Sequence, residues 1–375
     1  MNQNRLAQPQ HCENLSGLEL YDWDNLLRAY RKAAKGKRGH ADVAEFEYRL
    51  EDNLLQLQRE LRDESYTPGA YHSFYIHDPK KRLISAAPFR DRVVHHALCN
   101  LIEPIFEKSF IQDSYANRIG KGTHKALDRA QGFARRFKYA LTCDVKQFFP
   151  SIDHEILFRI LTRTPTSPDV GHFCSRQNQE ILESIWLIQK ILASGIGVLR
   201  EEYDMVYFAG DDLFAAQRPR GLPIGNLTSQ FWANCYLNPF DHFVKRNLRC
   251  KGYLRYVDDF LLLSNDKDEL NAWREKIIAK LCEFRLTLHE NKCQPRPVEE
   301  GIPFLGFLLF PDHRLLKQQK GIAFQRKLKS LRVLSELGGL THVQLEASIQ
   351  GWVNHVRWGN TWRLRYVLLN LTHET

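Results

Sequence analysis

The chain has 375 residues, 43% of them hydrophobic and 26% charged, with a formal net charge of +9. Those proportions are ordinary for a soluble globular protein with a large core, and the length suits two or three subdomains. No apolar run approaches the roughly 20 residues that span a bilayer, so no membrane role is expected, and the basic excess favours polyanionic partners such as nucleic acid.

The opening "MNQNRLAQPQHCENL" is polar and lacks the apolar core of a signal peptide, which points to a cytoplasmic protein. Eight cysteines, with no CxxC pair, read as reduced and mostly buried thiols. The one ligand-like cluster, Cys282, His289 and Cys293, lacks a fourth partner, so no structural zinc is expected.

Residues 1–65 form an N-terminal helical extension in this reading. Val43, Phe46, Leu50, Leu54, Leu57 and Leu61 make one apolar stripe at helical spacing. The basic loop "KGKRGH" ahead of it is either a solvated turn or a phosphate contact. Strand-like pieces follow from Tyr66, broken at "TPG" and "DPKKR", and helix resumes at "FRDRVVHHAL". "YALTCDV" and "GYLRYV…FLLL" have strand character, while "KDELNAWREKIIAKLCEF" is an amphipathic helix with Leu270, Trp273, Ile277 and Leu281 on one face.

From Arg314 to Arg332 the chain carries seven basic residues and no acidic one. A helix should follow, with Thr341 as N-cap, Gln344 completing a capping box, and an apolar face through Leu345, Ile349, Trp352, Val353 and Val356. The basic stretch either meets a polyanion or is merely solvated.

The chemistry concentrates in "RYVDDFLLL" (255–263), where two adjacent aspartates interrupt an apolar run. Strand interiors disfavour Asp, and neighbouring carboxylates repel unless something positive sits among them. Asp258–Asp259 is therefore either a hairpin turn or part of a metal site. Asp144 ends another strand-like run in "LTCDVKQFFPSIDH", and adjacent strands could bring these carboxylates together as oxygen ligands for Mg²⁺.

"YVDD" between apolar flanks resembles the catalytic box of reverse transcriptases, and six further boxes of that family occur in order. "KKRLISAAPFRDRVVHHAL" (80–98) and "FIQDSYANRIGKGTHKAL" (110–127) resemble the two fingers motifs. "LTCDVKQFFPSIDH" resembles the first catalytic Asp box, and "RGLPIGNLTSQFWANCYLN" (220–238) the template- and nucleotide-contacting box. "LTLHENKCQ" (286–294) is similar to the motif with a catalytic lysine, and "IPFLGFLLF" (302–310) to the primer grip. Where most relatives read Gln-Gly-x-x-x-Ser-Pro, this chain has Ile224-Gly225-Asn226-Leu227-Thr228-Ser229-Gln230, which resembles the form in diversity-generating retroelement enzymes. No maturase-like X domain, endonuclease or RNase H domain is recognised in the sequence.

The resemblance implies an α+β right-hand polymerase fold: fingers and palm (an antiparallel sheet plus helices) over 66–315, and a small helical basic thumb over 316–375. It implies an RNA-directed DNA polymerase that uses two Mg²⁺ ions, with Mn²⁺ as an alternative. Asp144, Asp258 and the Val145 carbonyl would ligate metal, with Asp259 supporting them and Lys292 serving as general acid. Lys80, Lys81 and Arg82 would contact the triphosphate, and Arg90 keeps the family spacing from Arg82. Phe149 would be the steric gate that selects dNTPs, with either Phe148 or Phe149 given to the core. Ile224 and Gly225 would lie at the nucleotide, and Phe304, Leu305 and Gly306 at the primer end. Arg326, Lys327 and Lys329 would hold the template–primer duplex. Expected partners are a template RNA, the cDNA duplex and a small basic helical accessory protein. The biological setting is either a diversity-generating retroelement or an antiphage defence system that copies a dedicated non-coding RNA.

Overall fold

A computed structural model describes residues 19–77, 81–162 and 175–370. The chain forms two compact units: one from the residues up to Ser109 with His154–Arg200 and Pro219–Trp232, the other from Phe110–Asp153, Glu201–Arg218 and Ala233 onward.

The first unit begins with helices α1 (Trp23–Ala34), α2 (Ala41–Tyr48) and α3 (Leu50–Arg62), followed by strands β1 (His72–Ile76) and β2 (Arg82–Ala86) and helix α4 (Phe89–Glu107). The apolar stripe of residues 43–61, expected as one helix, is two. Arg49 leaves helical geometry (φ −122°, ψ 44°), and the Asn53 side chain donates to the Phe46 carbonyl at 3.0 Å across the break. The stripe still faces inward, with Val43, Phe46, Leu54, Leu57 and Leu61 all buried. Helix α1 packs along α4, so the N-terminal helices are integral to this unit. β1 and β2 pair antiparallel, His72 opposite Ala86 and Ile76 opposite Arg82. Residues 78–80, Lys80 among them, lie outside the described part.

The second unit contains α5 (Thr123–Ala134), β3 (Tyr139–Asp144) and the short α6 (Phe148–Ser151). Helices α7 (His154–Thr162) and α8 (Ser175–Ser194) belong to the first unit, and the continuous helix α9 (Leu227–His242) runs from one unit into the other. Beyond it come β4 (Gly252–Tyr256), β5 (Asp259–Ser264), α10 (Lys267–Glu283) and β6 (Arg296–Pro297), then β7 (Ile302–Phe304), β8 (Phe307–Leu309) and β9 (Arg314–Leu316). The main sheet has the order β4-β5-β3-β6, every pairing antiparallel, and β7-β8-β9 form a second antiparallel sheet.

Burial explains why β5 reads as "DFLLL" rather than alternating. Leu261 and Leu263 join α5 residues Ala126, Leu127, Ala130 and Phe133 in one core cluster. Phe260 points to the other face and meets the Phe240 ring at 5.3 Å. A central strand buried on both faces needs apolar residues at every position. Helix α10 covers the sheet with Leu270, Trp273, Ile277 and Leu281, the four residues its sequence periodicity predicts.

Helices α11 (Gln318–Glu336), α12 (His342–Val356) and α13 (Trp362–Asn370) close the chain around Phe324, Leu328 and Leu368, with Phe324 stacked on Trp352 at 4.0 Å. The expected capping box is present: the Gln344 N–H donates to Thr341 Oγ1 (3.3 Å), and the Thr341 N–H donates to Gln344 Oε1 (3.0 Å). Arg314 departs from the expected basic face. It is buried, pairs with Asp128 at 2.5 Å, and donates to Gln131 at 2.8 Å. Lys317, Lys320, Arg326, Lys327 and Lys329 remain exposed.

Gly252 sits opposite Leu263, where a Cβ would stand 2.7 Å from the Leu263 carbonyl oxygen and 2.9 Å from the Phe137 ring. Gly252→Ala should therefore pry β4 from β5 and cost about 1–3 kcal/mol. An unchanged urea midpoint would contradict this account of the hairpin packing.

Candidate active site

The β3–β5 register sets Asp144 opposite Asp259. Asp144 spends its carbonyl on the other edge of β3, where it accepts from the His289 N–H at 3.0 Å. Its backbone groups therefore point away from β5, and Asp144 and Asp259 form a non-hydrogen-bonded antiparallel pair, the kind whose side chains stand closest. The Lys146 N–H donates to the Thr287 carbonyl at 2.8 Å, so the two bonds flank a Val145–Leu288 bridge. Between such flanking bonds the central residue turns its own N–H and C=O to the opposite side. The Val145 carbonyl is thus aimed toward the β5 edge, the side of the carboxylates.

Asp258 lies on the turn itself. Tyr256 pairs with Asp259, leaving Val257 and Asp258 as a two-residue loop. Val257 has φ +56°, whereas Asp258 is not among the positive-φ residues; a positive φ at the first loop position alone is the type II′ pattern, which favours glycine there. A β-branched residue in that region is strained by about 1–3 kcal/mol. The open choice between hairpin turn and metal site is resolved in one respect: Asp258 is on a hairpin turn, beside a cross-strand carboxylate pair.

The donor set is hard oxygen throughout, which suits Mg²⁺ or Mn²⁺. Among the described residues, no three His, Cys, Asp or Glu side chains stand close enough to hold a metal unaided. The Cys282, His289 and Cys293 trio is dispersed: Cys282 is exposed, whereas buried Cys293 meets Cys143 at 2.9 Å between sulfurs. Burial pushes the Cys143 thiol well up. Cys12 and Cys174 lie outside the described residues.

Lys292 is exposed at the end of a short 3₁₀ turn after His289, its N–H bonded to the His289 carbonyl at 2.9 Å. The His289–Asp144 bond and the Cys143–Cys293 contact hold this segment against β3 on both sides of Lys292. Phe148 is buried and Phe149 half-buried, their rings edge to face at 5.5 Å. Phe304 is a correction: its side chain is 3% exposed and belongs to the core, so only Leu305 and Gly306 present surface. Those two residues have φ +45° and +88°, the type I′ requirement, and their turn borders a cavity of about 330 Å³ lined also by Thr123, Lys320 and Trp352. Thr123 donates its hydroxyl to the Tyr256 hydroxyl at 2.9 Å.

In the first unit, Arg82 opens β2 opposite Ile76, and Lys81 lies 4.2 Å over the Tyr75 ring; both are exposed. Ile224 is half-buried, its carbonyl accepting from the Ser85 N–H at 2.8 Å. Gly225 adopts φ +117°, and a Cβ there would press on Ile84 at 3.0 Å. Sequence reasoning missed Asn226. Fully buried, it accepts from the Ala87 N–H (3.0 Å) and donates to the carbonyls of Ser85 (2.8 Å) and Pro223 (3.0 Å), stapling the Ile224–Gly225 turn to β2. Its signal was a lone amide in an otherwise apolar and glycine-rich string.

Carboxylates thus face each other across an antiparallel sheet, with a third on the adjoining turn. The family model for reverse transcriptase (RNA-dependent DNA polymerase) matches residues 76–309. The chain therefore belongs to the reverse transcriptase family of RNA-directed DNA polymerases, with that family's α+β fold. It is similar to Protein YkfC of Escherichia coli K12, 23% identical over 323 residues, which cover 76% of each chain. It is also similar to the group II intron-encoded protein LtrA of Lactococcus lactis, 26% identical over 200 residues, 52% of this chain and 28% of that one. The solved structure of apo telomerase from Candida tropicalis aligns with a TM-score of 0.44 at 12% identity, over 65% of this chain and 48% of that one. The chain thus spans three quarters of YkfC but about half or less of the other two.

Asn226→Ala removes one acceptor and two donated bonds at a buried site and leaves the Ala87 N–H unsatisfied. A loss of roughly 2–3 kcal/mol is expected in chemical denaturation. A variant as stable as the parent would show that the turn is held by other means.

Proposed function

We propose that this chain copies a template RNA into cDNA by two-metal nucleotidyl transfer, and that it does so with low fidelity, as in a diversity-generating retroelement. The observation that carries the chemistry is the Asp144–Asp259 cross-strand pair with Asp258 on the adjoining turn. Asp144, Asp258 and the Val145 carbonyl would hold the divalent ions, with Asp259 supporting the site. Bound there, divalent ions would lower the pKa of a primer 3′-hydroxyl and neutralise charge on the triphosphate and the leaving pyrophosphate.

The chain's own residues do the rest. Lys81 and Arg82, with Lys80, bind triphosphate oxygens, for which an ammonium and a guanidinium fork are suited. Lys292 donates a proton to the departing pyrophosphate. Phe149 packs under the sugar and excludes a 2′-hydroxyl, so deoxynucleotides are selected. Leu305 and Gly306 border the primer end, and Arg326, Lys327 and Lys329 contact the duplex through its backbone. No helix among the described residues is long and apolar enough to cross a membrane. Template RNA, dNTPs and a small accessory protein are the partners this reading calls for.

Primer extension on an RNA template tests the chemistry. Asp258→Ala should lower the rate on the order of 10³-fold or more, since several kcal/mol of transition-state stabilisation depend on the ions. A variant that extends like the parent would end the proposal, as would a parent enzyme that prefers ribonucleotides.

Ile224 carries the fidelity argument. The relatives' Gln offers polar contacts near the nucleotide sugar and template base; Ile cannot hydrogen-bond, so checking of the nascent pair loosens. Ile224→Gln should lower the misincorporation frequency in sequenced cDNA, and an unchanged error spectrum would refute the link.

A further inference from the structure

Arg255 is a charged residue with no exposed surface, one step before the catalytic tetrad. Its guanidinium has five N–H donors, and each has an acceptor. Nε bonds Asp241 Oδ1 (2.8 Å) and Oδ2 (3.1 Å), and Nη2 bonds Asp241 Oδ2 (2.7 Å) and Ser114 Oγ (3.4 Å). Nη1 bonds Asn234 Oδ1 at 3.2 Å and, at 2.9 Å, the carbonyl oxygen of Val257. That last carbonyl belongs to the one residue of the hairpin loop with positive φ. The Tyr253 hydroxyl donates to Asp241 Oδ1 at 2.6 Å, and Asn234 donates to the Ala116 carbonyl at 2.8 Å, so the acceptors are themselves held. Burial works to lower the Arg255 pKa, and the Asp241 carboxylate outweighs it, with Tyr253 and Asp258 adding to the same effect.

We propose that Arg255 is a positioning residue for catalysis: braced by Asp241, it clamps the Val257 carbonyl and so keeps the Val257–Asp258 turn in the left-handed geometry that presents Asp258. Most of its donors serve the body of the unit, and one serves the strained turn. A buried ion pair is a poor source of stability, because desolvating two charges offsets most of their attraction. A rigid, charge-assisted donor aimed at a strained carbonyl gives this pair a use that an apolar pair would lack. Lysine could satisfy Asp241 but has no fork to reach Val257 at the same time. The proposal rests on the polymerase reading and adds to it a residue that touches no substrate.

Three variants test the clamp. Arg255→Lys should lower kcat between five- and a hundredfold on an RNA template, the range expected when strain of this size is no longer held, with KM for dNTP changed less than about threefold. Adding Val257→Gly to Arg255→Lys should restore kcat at least several-fold, because glycine adopts positive φ without strain. The double variant Arg255→Met/Asp241→Leu replaces the ion pair by apolar groups; it should melt near the parent temperature yet show the same fall in kcat. A crystal structure of Arg255→Lys should show residue 257 leaving the φ +56° region. Unchanged kcat in Arg255→Lys, no restoration by Val257→Gly, or an unmoved φ at residue 257 would each overturn the clamp. An inactive parent enzyme would instead refute the polymerase reading, and the crystal comparison would still decide the clamp.

Discussion

The register of β3 against β5 is the constraint on which the rest of the molecule depends. Moving β5 by one residue would turn every side chain to the other face. Leu261 and Leu263 would leave the α5 cluster, and Asp259 would no longer face Asp144. Two facing carboxylates repel by about 1 kcal/mol in water at 4 Å and about 4 kcal/mol at the effective dielectric of a protein surface. Burying the side chains of Phe260, Leu261, Leu262 and Leu263, each at most 1% exposed, stabilises by roughly 1.5–3 kcal/mol apiece. The apolar flanks therefore outweigh the repulsion and hold together two charges that would separate if left alone.

That dominance is local, and the turn needs its own support. The β4–β5 register ends at Tyr256 opposite Asp259, and Val257 and Asp258 form the loop beyond it. Val257 does not favour the geometry found, since a β-branched side chain resists positive φ. On one side of the hairpin the Thr123–Tyr256 hydroxyl bond ties it to the start of α5, and within the sheet Arg255 reaches forward to Val257. The β4–β5 hairpin is anchored by core leucines at its base and by hydrogen bonds at its tip, and only the second kind of anchor can be tuned without unfolding the sheet.

What was legible in the sequence divides along the same line. Periodicity revealed elements whose burial is set locally, such as the four inward residues of α10 and the capping box at Thr341. Motif spacing singled out Asp144, Asp258 and Asp259 because their order along the chain survives any detail of packing, and the β3–β5 register sets Asp144 opposite Asp259. Neither kind of signal reports which distant groups meet. The break at Arg49 lets α2 pack on α4 and α3 on α1, a long-range fit that a continuous apolar stripe does not encode. Arg314 looked like one more surface cation until Asp128 and Gln131, more than 180 residues away, took it into the interior. Phe304 looked like a primer contact because its motif sits at a turn, yet the turn residues are Leu305 and Gly306. Nothing in the string pairs Arg255 with Asp241, its buried partner.

Charge is distributed in a way that the single figure of +9 conceals. Residues 314–370 hold ten Lys and Arg against two acidic residues, so the remainder of the chain is nearly balanced. The exposed cations of α11 stand on a helix whose inward face is Phe324 and Leu328, and they do not depend on the β3–β5 register. An array of solvated lysines and arginines attracts any polyanion and weakens with salt, and shifting one of them by a turn changes little. The carboxylates behave in the opposite way, since displacing Asp144 or Asp258 by one residue removes it from the site. The protein thus separates an attraction that tolerates imprecision, placed on a helical surface, from a chemistry that does not, placed where core packing and a buried ion pair fix the backbone.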